Sequence, residues 1–156
     1  MSKLEIFNFA SSSAGNCHML TYGEHRLLLD CGLPPSKIKH LLGYKLPDAC
    51  LITHEHQDHA KSCDYLCHLL GVRCILPSGA FALDPPATNQ DHVSAGDVIS
   101  VFPWVIMPLL AVHDVPCMMY VVIVGDERLL YATDTAYIGN RITGLTRIMI
   151  ECNWTT

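Results

Sequence analysis

The stretch Thr53-His54-Glu55-His56-Gln57-Asp58-His59 decides how this chain is read. It follows a short apolar run, Ala49-Cys50-Leu51-Ile52, which reads as a strand ending near the first histidine. Imidazole and carboxylate together in one loop suit zinc and other first-row metals. The order of the residues says more than their number. His54 and His56 are two apart at the end of an extended segment, so their side chains point the same way. Both rings then reach one ion, while Glu55 between them points away. Asp58 and His59 come after the chain has turned, where they face a second ion beside the first. The competing reading is a polar, histidine-rich surface loop, which this spacing of four ligand-type residues disfavours.

Outward from that loop, the chain reads as a succession of short strands. Leu4 to Phe9 predicts a strand with Leu4 and Ile6 on one face and Phe7 and Phe9 on the other. Ser11-Ser12-Ser13-Ala14-Gly15-Asn16 predicts a loop, either one that offers hydroxyls and N–H groups to an anion or an ordinary β-turn. Cys17–Tyr22 and Arg26–Asp30 predict a hairpin around Gly23-Glu24, and Leu27-Leu28-Leu29 a strand covered on both faces. Pro34-Pro35-Ser36 opens a short helix over 37–42 that Gly43 ends. A second helix is expected over 59–70, with Cys63 and Cys67 on one face. Those two thiols read as a metal clip or as buried packing, and packing is preferred because a free cysteine behaves as a small hydrophobe.

Further on, 72–76 predicts a strand, 87–96 a loop, and 97–112 two strands split near Pro103 or Pro108. Met118–Val124 and Arg128–Thr133 form a hairpin around Gly125-Asp126, and 147–151 is a last strand. His40, His68 and His92 read as surface or packing residues. His113 and Asp134 each sit at a strand end followed by a turn, where loops gather into sites. They join the motif as candidate ligands. His54, His56 and His113 would hold one ion; Asp58, His59 and Asp134 would hold another, with Asp134 able to bridge. Asp30 closes its strand and reads as a ligand, a turn former or, preferred, the partner of a metal-bound histidine.

Composition sets bounds. The chain has 156 residues and reads as one domain, 1–156. Charged residues are 16%, and the net charge of −5 leaves no basic footprint for non-specific nucleic-acid binding. The longest apolar stretch, Val101–Val112, is interrupted by Pro103 and Pro108, too short and broken to span a bilayer. The first residues lack the pattern of a secretion signal, and the eight cysteines are scattered, so reduced thiols and a cytoplasmic setting are expected.

The pattern His54-x-His56-x-Asp58-His59, then His113, then Thr133-Asp134-Thr135 resembles the metallo-β-lactamase superfamily. Ser11-Ser12-Ser13-Ala14-Gly15-Asn16-Cys17 and Leu27-Leu28-Leu29-Asp30-Cys31-Gly32 are similar to it as well, most of all to its WalJ-type exonuclease branch. The resemblance runs from about Leu4 to Asn153. It implies an α/β fold of αββα sandwich type and a dinuclear site, usually zinc, with manganese or iron as other occupants. Family members continue beyond the strand that ends here near Glu151, and that stretch supplies a late histidine for the second ion. No histidine follows His113 here. The shortened sandwich predicts an open sheet face along Trp104–Met107 and Met118–Val124, hence a homodimer. The function expected is hydrolysis by a metal-bound hydroxide oriented by Asp58, on a phosphodiester with nucleic acid as substrate. The alternatives are a small ester, thioester or lactone, and a metal-binding module without turnover.

Overall fold

Alternation of side chains along extended segments builds the molecule. A computed structural model describes residues 1–139 and 141–151. Strand β1 (Leu4–Ser12) pairs antiparallel with β2 (Gly15–Tyr22), and β2 with β3 (His25–Leu29). Strands β4 (Ala49–Leu51), β5 (Cys74–Pro77) and β6 (Gln90–Val93) add in parallel. A second sheet runs in the order β11-β10-β9-β8-β7. Its strands are β7 (Ile99–Val101), β8 (Trp104–Leu110), β9 (Met118–Val124), β10 (Glu127–Ala132) and β11 (Arg147–Ile150). Only the β10–β11 pair of this sheet is parallel.

The two sheets pack face to face. Leu27 and Leu29 of β3 and Leu51 of β4 meet Trp104, Ile106, Tyr120 and Val122 between them. The alternate residues, Leu28 and Cys50, face the other way and pack with Ile38 and Leu42 of helix α1 (Pro35–Leu42) and with Leu66. This two-sided burial is why β3 and β4 read as unbroken apolar runs.

Three expectations need correction. The predicted helix over 59–70 is two pieces: α2 (Gln57–Ala60) and a π-helical turn (Tyr65–Leu69). Ser62 explains the break, because its N–H donates to Cys31 O at 3.0 Å and its Oγ to Leu33 O at 2.6 Å. The helix is thereby pinned to the turn after β3. Of the two readings of 11–16, the structure has the ordinary turn, a tight hairpin with Ser12 paired to Gly15. The predicted loop over 87–96 contains β6, and the break between β7 and β8 falls at Pro103, while Pro108 lies inside β8 beyond the end of β7. Finally, the apolar runs 104–107 and 118–124 are largely buried. Ile138, Ile142 and Leu145 lie over the outer face of the second sheet, against Met119, Val121 and Leu130. Cys152 and Asn153 lie outside the described residues. Among the described residues, no helix is long and apolar enough to cross a membrane.

Candidate metal centre

Strand ends of both sheets converge on one edge. Strand β4 leads into Thr53 and His54, both fully buried. His56 precedes α2 in an extended conformation, and Asp58 and His59 lie within that helix. His113 and Asp114 follow β8, Asp134 follows β10, and Asp30 follows β3. Asp30 and Asp134 are, among the described residues, the two non-glycine positions with positive φ, 56° and 46°. Backbone strain of this kind is held in place only by surrounding structure, and it concentrates at functional sites.

Six predicted residues come together here. The ligating atoms of His54, His56 and His113 all lie within 4.8 Å of one another, and so do those of His54, His59 and Asp134. Asp134 Oδ2 sits 2.7 Å from His59 Nε2 and 3.7 Å from His54 Nε2, between the two sets. Asp58 stands slightly apart, its Oδ2 3.5 Å from His59 Nε2. His54 thus belongs to both sets, and Asp58 lies beside the one with His59 and Asp134. His54 and His59 are sealed inside, whereas the side chains of His56 and His113 are 38% and 22% exposed. The site opens to solvent on that side.

Asp30 organises the floor. Its Oδ1 accepts from Thr53 N at 2.8 Å and Thr53 Oγ1 at 3.1 Å. Its Oδ2 lies 2.9 Å from His59 Nδ1 and accepts from Tyr131 OH at 2.6 Å. A carboxylate on Nδ1 fixes that proton and leaves Nε2 facing the cluster, the arrangement by which such partners orient metal-bound histidines. The remaining neighbour of Nδ1 on His54 is Thr53 Oγ1, at 3.0 Å.

Electrostatics follow from this packing. Burial, reinforced by the nearby His59, pushes the His54 pKa down to about 4. Burial also works against charge on His59, but the Asp134 and Asp30 carboxylates outweigh it and hold its pKa up to about 10. The hydrogen bond from His59 in turn lowers the Asp134 carboxyl below its ordinary value. A proton on His59 thus lies between two carboxylates, a charge pattern that a divalent cation also satisfies.

The residues present fit a metal ion. His54 Nε2 is buried with no hydrogen-bond partner among the described residues, and it faces the point where the other donors meet. An orphaned buried acceptor is costly unless something coordinates it. His54, His56 and His113 would hold one ion by nitrogen; His59 and Asp134, with Asp58 beside them, would hold a second.

Sequence reading missed four neighbours. Asp114 reaches His56 Nε2 at 3.5 Å and His113 Nε2 at 3.1 Å, and its place directly after His113 was a usable signal. Asn16 places Nδ2 3.1 Å from His59 Nε2 and 3.4 Å from Asp58 O, from within the serine-rich hairpin. Thr53 was read only as the start of the motif. Tyr131, in an apolar strand far along the chain, carried no local signal.

A two-sheet sandwich carrying a histidine-rich metal centre at one edge defines the class. The sequence profile of the metallo-beta-lactamase superfamily matches residues 12–149, and the chain belongs to that family. It is 29% identical over 162 aligned positions to exodeoxyribonuclease WalJ of Streptococcus pneumoniae serotype 2 (strain D39 / NCTC 7466). That alignment covers 92% of this chain and 60% of WalJ, so the chain spans about three fifths of the relative. Among solved structures it resembles the metallo-beta-lactamase fold protein YhfI of Bacillus subtilis. The TM-score is 0.63 at 18% identity, covering 84% of this chain and 61% of YhfI. A metallo-beta-lactamase from Staphylococcus aureus subsp. aureus COL aligns with TM-score 0.67 at 12% identity, covering 84% and 42%. These likenesses establish the fold.

Proposed function

We propose that the site serves metal-dependent hydrolysis of phosphodiester bonds. The observation that carries the reading is the buried, partnerless Nε2 of His54 between two sets of nitrogen and carboxylate donors. The chemistry that divalent ions would supply there is to lower the pKa of water toward neutrality and to offset negative charge on the attacking and leaving oxygens of a diester. Zn2+ is the ion we assign, with Mn2+ or iron as substitutes that the same donors accept.

The chain's own groups divide the remaining work. Asp58, 32% exposed at the mouth, is assigned the proton of the attacking water. His56 and His113 face the open side, where a substrate enters. Asp30 and Thr53 hold the imidazoles of His59 and His54 in register. The similarity to WalJ, an exodeoxyribonuclease, supports nucleic acid as the diester.

The test is turnover of bis-(p-nitrophenyl) phosphate by the metal-loaded chain. Activity is expected, abolished in His56→Ala and unchanged in His92→Ala, since His92 lies on β6 with its Nε2 against Phe81 O. Activity confined to a thioester or lactone would move the reaction to carbonyl chemistry at the same residues. Metal binding without turnover of any of these would replace the hydrolase with a binding module. We also propose a homodimer: the exposed Ile148 and Ile150 on edge strand β11 are its contact surface, and a monodisperse monomer in sedimentation at micromolar concentration would reject it.

A further inference from the structure

On the helix-covered face of the first sheet, away from the histidines, thiols gather. Cys50 and Cys74 are register partners on β4 and β5, so their side chains stand side by side on that face. Cys63 and Cys67 come onto Cys74 from the helical segment above. The Sγ atoms of Cys63, Cys67 and Cys74 all lie within 4.8 Å of one another. All three residues are buried, at 1%, 4% and 0% exposure. Cys50 and Cys31 are buried in the same cluster beside them.

Packing alone accounts for a buried cysteine taken singly. It does not ask for three sulfurs at one point. A tetrahedral zinc–thiolate site has Zn–S bonds of about 2.3 Å, which sets its sulfurs about 3.8 Å apart. The three sulfurs here, all within 4.8 Å of one another, are close enough for one ion to reach them all. The helix above them is also irregular in the right place. Leu70 N donates to Tyr65 O at 3.2 Å, closing the π turn that contains Cys67. Turns of this kind are frequent at functional positions.

We propose that Cys63, Cys67 and Cys74 form a second metal site, a three-thiolate seat for a soft cation of the zinc type. Binding exchanges protons for metal: each S–H bond gives its proton to solvent as an S–metal bond forms, and no electrons are transferred. Soft thiolate sulfur selects thiophilic ions over the magnesium or manganese that carboxylates prefer.

The experiment titrates Cd2+ into the reduced, chelator-treated full chain and reads the near-ultraviolet thiolate-to-metal charge-transfer absorption, which imidazole and carboxylate ligands do not produce. The band is expected in the wild type and equally in the His54→Ala/His56→Ala variant, which separates this site from the histidine centre. It is expected to be lost in Cys67→Ser and kept in Cys117→Ser, whose thiol lies against the second sheet. Absence of the band in the wild type, or its survival in Cys67→Ser, overturns the proposal. X-ray absorption at the zinc edge of the zinc-loaded His54→Ala/His56→Ala variant needs no cysteine substitution. Sulfur neighbours at about 2.3 Å support the site, and a shell of nitrogen and oxygen alone rejects it.

Discussion

Tyr131 donates from its hydroxyl to Oδ2 of Asp30 at 2.6 Å, across 101 positions of sequence. Both residues are buried, and the bond ties the second sheet to the carboxylate beneath the histidines of the first. Asp30 therefore receives donors from β10 and from the metal loop at once. The orientation of His59 depends on a residue that the loop itself does not contain.

Tyr131→Phe keeps the ring and removes only that donor. A hydrogen bond to a charged group contributes about 1.5–3 kcal/mol, so a loss of that order is expected in urea unfolding. Metal affinity should fall as well, by roughly tenfold or more, as for other partners of metal-bound histidines. Equal stability and equal affinity in the two proteins would show that Thr53 and His59 satisfy Asp30 unaided.

Gly32 lies where the turn after β3 meets the metal loop. A Cβ there would overlap the carbonyl of Asp58 and crowd His59 N. Gly32 N also donates to Asn16 O at 2.9 Å, and Cys31 N to His59 O at 2.7 Å, so the two loops are stitched together and have no room to part. Gly32→Ala is expected to give an insoluble chain or one with lost metal binding. Normal metal content and a wild-type thermal midpoint in that variant would mean that the loops separate at little cost.

In the chelated protein, His59 titrates at about 10 instead of 6.5, because Asp134 and Asp30 favour its charged form over the opposing effect of burial. A folded pKa raised above the unfolded one gives stabilisation that is complete below about 6.5 and lost as pH rises toward about 10. The urea midpoint of chelated protein should fall across that window, and His59→Gln should flatten the fall. A midpoint that is level from neutral pH upward would contradict the ion pairing.

Much of this molecule was legible locally. Spacing of two at a strand end placed His54 and His56 together, and the apolar run at Leu27–Leu29 marked a strand buried on both faces, whereas Met118–Val124 was expected to leave one face open and is largely buried. Their places at strand ends followed by turns drew His113 and Asp134 into the same site. What escaped depends on contacts between distant segments. The break at Ser62 comes from bonds to Cys31 and Leu33, not from any helix-breaking residue in 59–70. β6 has little strand pattern of its own and is fixed by pairing with β5. Asn89 assists by donating to Cys67 O and Val72 O. The third thiol beside Cys63 and Cys67 arrives from β5 and could not be inferred from helical spacing.

The histidine centre draws on residues from Asn16 to Asp134, distributed over both sheets. No single hairpin or βα unit contains enough of it to hold an ion. The free energy of metal capture is therefore linked to the docking of one sheet on the other, and a measured affinity includes the cost of that docking. If only a fraction of chains is fully assembled, the apparent dissociation constant is the intrinsic one divided by that fraction. Metal titration of this protein thus reports how often its two halves are closed, and a substitution between the sheets, far from any ligand, should weaken binding to the extent that it opens them.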